Sequence, residues 1–177
     1  MAGHSGAVDG VRRVSDLASM LVGIAPGSRL AALRAERAAI RDHGQGAFEQ
    51  LVTPTDPGGV SLVERAALAL RVALLEGDDA LAARFHALLT PIATPAEAQA
   101  AQTFPAPELP DRFSLLLRYA DLVAATPERC GQADIDALTA HGLSAQDIVA
   151  VTQLVSFVPY QVRLHAGLAA LRDEMSA

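Results

Sequence analysis

Residues 61–89 read SLVERAALALRVALLEGDDALAARFHALL, and they specify two capped helices meeting at a glycine corner. Ser61 with Glu64 three positions on is a capping box: the hydroxyl accepts from the Glu64 backbone N–H, and the carboxylate reaches back to Ser61. Leu62, Val63, Ala66, Ala67, Leu70, Val72, Ala73 and Leu74 then cover nearly the whole circumference, the pattern of a helix buried inside a bundle. Gly77 suits the left-handed position that ends such a helix. Asp78 or Asp79 caps the next one, whose Leu81, Phe85, Leu88 and Leu89 form an apolar stripe ending before Pro91.

The flanks supply packing for this pair. Residues 1–12 are polar and glycine-containing, expected as a flexible arm able to clasp a neighbouring subunit, and 13–177 are expected to form a single domain. A short apolar helix over about 14–22 is ended by Gly23 and Pro26. From Ser28 a second helical stretch begins, and Ile40, Ala47 and Leu51 keep its spacing through HGQG at 43–46, where the two glycines predict a bend or the close approach of another helix. TPTDPGG at 53–59 is a turn-rich connector. Downstream, Thr94-Pro95-Ala96-Glu97 opens a helix that should fail before TFPAPELP at 103–110, read as a flexible insert. Leu115, Tyr119, Leu122 and Val123 mark an amphipathic helix over 111–125, and a short helix over 132–141 follows. Ser144, with Asp147 three positions on, starts a last long helix to about Arg172, in which Pro159 should cause a kink.

No stretch alternates apolar and polar residues long enough for a strand, so the fold class is all-α with about eight helices. Ser61/Glu64 and Ser144/Asp147 both open long apolar helices, and each is followed by an Arg-x-His triplet, Arg84 to His86 and Arg163 to His165. This is either a duplicated helical unit or a coincidence of common residues.

Composition excludes several functions. All 14 basic residues are arginine, so a Schiff-base or phosphate-loop lysine is ruled out. A net charge of -6 with scattered basic residues argues against nucleic acid. Arg29, Arg34, Arg37 and Arg41 share one helical stretch, either as an anion-binding face or as a solvated one. A single cysteine, Cys130, excludes an intrachain disulfide, a CxxC pair and a multi-cysteine zinc site; the histidines lack HxxxH or HxH spacing, so no metal and no cofactor are expected. The first ten residues lack the pattern of a signal peptide, and the longest uncharged run, 148–162, falls short of the roughly 20 residues that span a membrane. The expectation is a cytoplasmic protein whose partners are small molecules or copies of itself, because the near-continuous apolar helices exceed what one subunit easily buries.

The segments Glu64-Arg65, Ala69-Leu70-Arg71-Val72-Ala73 and Glu76-Gly77, followed by a helix with His86, resemble the core of the alkylhydroperoxidase D-like superfamily, the carboxymuconolactone decarboxylase (CMD) domain family. Gly142-Leu143-Ser144, Asp147-Ile148-Val149 and Tyr160-Gln161-Val162-Arg163 are similar to the C-terminal half of its peroxidase-related members. The resemblance spans roughly residues 40–171, includes the uncharacterised CMD domain proteins, and implies a helical bundle that assembles into multimers. In the peroxidase members it implies CxxC after the corner glycine, a histidine one turn later and a glutamate on the preceding helix. Here those positions fall on Asp78 and Leu81, on Phe85 and on Ala66. Phe85 is one residue from His86, which turns a side chain by about 100° around a helix.

Three functions follow from that comparison. In the first, the chain is a member without the thiol machinery, acting as a binding or assembly partner beside a cysteine-containing paralogue of the same family. Alternatively it is a cofactor-independent acid–base enzyme on a small carbonyl or lactone compound, with His86 or His165 moving a proton beside Glu64, Glu76 or Asp78. The third is a one-cysteine peroxidase using Cys130, next to Arg129. Tyr160, Arg163 and Gln153 are candidates to line a pocket. Each has a plainer reading: caps for Glu64 and Asp78, a packed or interface histidine for His86, and packing of the last helix for the pocket residues.

Overall fold

A computed structural model describes residues 16–105 and 111–176. The arm expected at 1–12 and most of the insert expected before Pro110 lie outside the described residues. Among the described residues are nine α-helices and no strand: α1 (Leu17–Val22), α2 (Arg29–Ala35), α3 (Ala38–Leu51), α4 (Leu62–Leu75), α5 (Asp79–Leu89), α6 (Pro95–Thr103), α7 (Asp111–Ala125), α8 (Gln132–Ala140) and α9 (Ala145–Glu174), with a 3₁₀ turn at Pro127–Arg129. The chain divides into two compact units, Ala47–Arg163, and Met1–Gly46 with Leu164–Ala177.

In the larger unit α4 is central and packs against α5, α6 and α7. Its capping box forms as the sequence predicts, with Ser61 N–H donating to Glu64 Oε2 at 2.7 Å and Glu64 N–H to Ser61 Oγ at 3.2 Å. Ala66 to Leu70, Val72 and Ala73 are buried, whereas Leu62 and Leu74, expected to be buried, are each 39% exposed. The helix ends at Gly77 (φ 73°), where Asp78 N–H bonds the Ala73 carbonyl and Gly77 N–H that of Leu74. This six-to-one, five-to-two pair closes the carbonyls left open by the last turn and aims α5 back along α4. Arg71 on α4 holds Asp121 on α7 in a bidentate pair at 2.7 and 2.8 Å. The core face of α7 is Phe113, Leu116, Leu117, Tyr119 and Ala120; Leu115, Leu122 and Val123, expected on that face, are half-buried.

Arg65, one turn inside α4, is 5% exposed. Its guanidinium donates to three carbonyls, those of Leu51 at the end of α3 at 2.8 Å, and of Pro57 and Val60 in the connector at 2.9 Å each. Burial lowers its pKa from the ordinary arginine value, against the opposing fields of Asp147 and Glu64.

In the smaller unit, Ala18, Val22, Leu30 and Leu168 form a buried cluster. Asp16 caps α1 by accepting from Ser19 N–H at 3.1 Å, and its carboxylate pairs with Arg34 on α2 at 3.0 Å. The stretch expected to be continuous from Ser28 breaks instead at Glu36 and Arg37, and HGQG lies within α3. A Cβ at Gly46 would meet nothing within 4 Å, so that glycine does not mark a close approach. α9 runs as one helix from Ala145 to Glu174 with Pro159 inside it, where the ring leaves the Val155 carbonyl without its helical N–H donor. The Ser61 and Ser144 boxes match in geometry, but His86 follows a helix corner while His165 lies on the same helix as its cap, so the two segments are not the same structural unit.

The Arg65 fork is tested by Arg65→Met, which leaves the Leu51, Pro57 and Val60 carbonyls without this donor. Urea unfolding should show a loss of roughly 3 kcal/mol with unchanged denaturant slope, and Arg65→Lys should recover part of it. An Arg65→Met protein as stable as the parent would show the fork to be dispensable.

Candidate functional site

The corner between α4 and α5 is where the resemblance places chemistry, and the residues there are spent on structure. Asp78 is the N-cap of α5, its Oδ1 accepting from Leu81 N–H at 2.9 Å. Leu81 and Phe85 are 0% exposed and Ala66 is 3% exposed. Phe85 stacks on Phe48 of α3, with ring centroids 6.4 Å apart and planes 20° from parallel. The interior of the corner is thus hydrocarbon. His86, one position on, is exposed, and its Nδ1 lies 3.4 Å from Thr90 Oγ1.

Glu64 is doubly engaged: Oε2 closes the capping box and Oε1 accepts from Arg112 Nε at 2.7 Å. Arg112 also donates to the carbonyls of Gly59 and of His141, at 3.2 Å for the latter. Asp147 completes this knot. Its Oδ1 accepts from Gly59 N–H at 3.0 Å, and its Oδ2 from Ser144 N–H at 2.9 Å and Ser144 Oγ at 2.7 Å. A Cβ at Gly59 would lie 2.3 Å from Asp147 Oδ2, so only glycine leaves room for the carboxylate there. The Ser144 hydroxyl and N–H, the Gly59 N–H and the Arg112 charge hold the Asp147 pKa below the ordinary 3.8, against a smaller desolvation effect.

Glu76 is paired with Arg163 at 3.4 Å, and Arg163 also donates to the Pro159 carbonyl at 2.8 Å. His165 is 6% exposed and belongs to the smaller unit. Cys130 is exposed, just past the 3₁₀ turn. Local desolvation, with the carboxylates of Asp134 and Glu128, raises its pKa above the usual thiol value, opposite to what a reactive thiolate needs. Among the described residues no group of three or more His, Cys, Asp or Glu is placed to hold a metal ion, and no helix is long and apolar enough to cross a membrane.

A different place offers space. Between the end of α3 and the middle of α9 lies an open groove of about 580 Å³. Ala47, Leu51 and Phe157 give its apolar surface, Gln50 and Gln153 its amides, and Thr152, Ser156 and Tyr160 its hydroxyls. Two of the three expected pocket residues, Gln153 and Tyr160, line it; Arg163 does not. Phe157 and Tyr160 form an aromatic corner, with centroids 6.0 Å apart and planes tilted by 40°. One position beyond, Gln161 is 3% exposed, and its buried Oε1 has no hydrogen-bond partner among the described residues. Sequence reasoning missed the α3 wall because nothing in residues 47–51 signals a partner about a hundred positions away.

With this geometry described, comparison with solved structures gives the fold. An uncharacterized peroxidase-related protein from Silicibacter sp. TM1040 superposes with a TM-score of 0.68 at 19% identity, over 79% of this chain and 73% of that one. A second, an alkylhydroperoxidase AhpD core described as an uncharacterized peroxidase-related protein from Ralstonia eutropha JMP134, gives 0.66 at 17% identity, over 78% and 73%. No protein-family model matches the sequence, and no curated protein does. The chain has the all-α alkylhydroperoxidase D-like fold.

The lowered Asp147 pKa fixes a sign. A carboxylate whose folded pKa lies below its unfolded one stabilises fully above the unfolded value, here near 3.8, and loses that contribution as pH falls through the folded value. Asp147→Asn should therefore melt below the parent at pH 6, with the gap narrowing below pH 3.8. A gap that stays constant down to pH 2.5 would remove the carboxylate's charge from the account.

Proposed function

We propose that this chain is a non-redox protein of the alkylhydroperoxidase D-like fold, acting by binding rather than by thiol chemistry. The observation that carries the reading is the apolar interior of the Gly77 corner, where Leu81 and Phe85 are fully buried and Asp78 is a helix cap. Peroxide reduction by a dithiol needs a thiolate to attack and a second thiol to resolve the sulfenic acid. The corner holds neither, and Cys130 has a raised pKa on another element. Acid–base chemistry finds less support: His86 has Thr90 as its polar neighbour, and Glu64 is held by Ser61 and Arg112.

The binding partner in this reading is a second copy or a paralogous chain of the same fold. Leu74, Leu75 and Ile92, at 39%, 44% and 47% exposed, leave apolar surface that association would cover. A single cysteine fits a reducing compartment, the cytoplasm.

Hydrogen peroxide incubated with the protein and dithiothreitol should be consumed no faster than in the protein-free blank, for the parent and for Cys130→Ser alike. Protein-dependent consumption that disappears in Cys130→Ser would replace the non-redox reading with a one-cysteine peroxidase. Light scattering after size exclusion should give a mass at least twice the 18.4 kDa of the chain. A monodisperse monomer at micromolar concentration would sink the self-association.

A further inference from the structure

The groove between α3 and α9 has a lining without any acidic, basic or histidine side chain, on a protein that carries 14 arginines and 20 acidic residues. We propose that this groove is a binding site for an uncharged aromatic molecule bearing a hydroxyl or carboxamide group. The site is separate from the Gly77 corner and stands whether or not the non-redox reading does.

Charge comes first. An ionised ligand exchanges part of its hydration for the apolar surface of Ala47, Leu51 and Phe157, and no lining group supplies a counter-charge, so a neutral molecule is selected. Shape comes second. Tyr160 is exposed and tilted against the largely buried Phe157, so a flat ring can stack on Tyr160 and meet the exposed edge of Phe157. The volume, about 580 Å³, is in the range of small-molecule sites.

Hydrogen bonding comes third. Thr152 gives its one proton to the Ile148 carbonyl at 2.8 Å. The 2.8 Å contact between Thr152 Oγ1 and Tyr119 must then have the Tyr119 hydroxyl as donor. Thr152 is left as a positioned acceptor with one free lone pair, which a ligand O–H or N–H satisfies. Gln50 on one wall and Gln153 on the other each offer both a donor and an acceptor to a carbonyl or hydroxyl.

The chain carries its own reporter. It has no tryptophan and two tyrosines, of which Tyr160 lines the groove and Tyr119 bonds to a lining residue. Tyrosine emission, quenched by energy transfer to a naphthalene ring, should fall saturably on titration with 2-naphthol and require about tenfold more 2-naphthoate, its anionic counterpart. Ser156→Arg, at an exposed position, should weaken 2-naphthol about tenfold while melting like the parent. Gln153→Arg, also exposed, should shift the preference toward 2-naphthoate. No saturable quenching, equal affinity for the two probes in the parent, or binding untouched by both substitutions would each overturn the site.

Discussion

The larger unit depends on how one buried guanidinium satisfies a connector that cannot satisfy itself. Residues 53–59, TPTDPGG, contain two prolines without N–H groups and two glycines, so the chain from Val52 to Val60 forms neither helix nor sheet. Val52 and Val60, at 1% and 0% exposed, nevertheless draw it inside. Its inward carbonyls, and that of Leu51 just before it, need donors, and Arg65 supplies three from one planar group. A lysine, with a single point of charge, would not span carbonyls spread over ten residues. The Ser61 capping box makes this possible, because fixing the first turn of α4 fixes where Arg65 leaves the helix.

On its outer side the same connector is gripped by Arg112 and Asp147. One residue, Gly59, gives its carbonyl to Arg112 and its N–H to Asp147. Arg112 begins α7 and Asp147 begins α9, so the starts of three helices, α4 included, converge on one short loop. Glu64 is the candidate catalytic carboxylate at this convergence, and both of its oxygens accept from fixed donors: Oε2 from the Ser61 N–H and hydroxyl, Oε1 from Arg112 Nε. Its spacing from Ser61 closes the capping box, and its contact with Arg112 ties α4 to α7.

Much of the helical framework was legible because its signals are local. Ser61/Glu64, Thr94/Glu97 and Ser144/Asp147 each satisfy orphan N–H groups three residues away, and each forms in the structure. Gly77 follows the same logic at a C-terminus. What was not legible is set by distant partners. Leu115, Leu116 and Leu117 are indistinguishable by composition, and the neighbours of α7 decide that the second and third are buried while the first is half-buried. Arg65 reads as one more charge on a helix, since its acceptors are carbonyls, which leave no trace in side-chain identity. The groove is of the same kind: Gln50 and Gln153 form its walls only because the end of α3 and the middle of α9 line the same space.

The contrast between corner and groove bears on function through what each position requires of its residue. At the corner the fold needs an acceptor at Asp78 to cap α5, and apolar volume at Leu81 and Phe85 to fill the space beside Phe48. Those requirements are met in full, so the corner is explained as structure with nothing left over. In the groove, Gln153, Ser156 and Tyr160 are exposed along one face of α9, and packing would accept almost any side chain there. Uncharged hydrogen-bonding groups beside a buried Phe157 are therefore not consequences of folding. Residues that stability does not dictate are where a binding function has room to reside, and in this chain they lie on α9 and not at the helix corner.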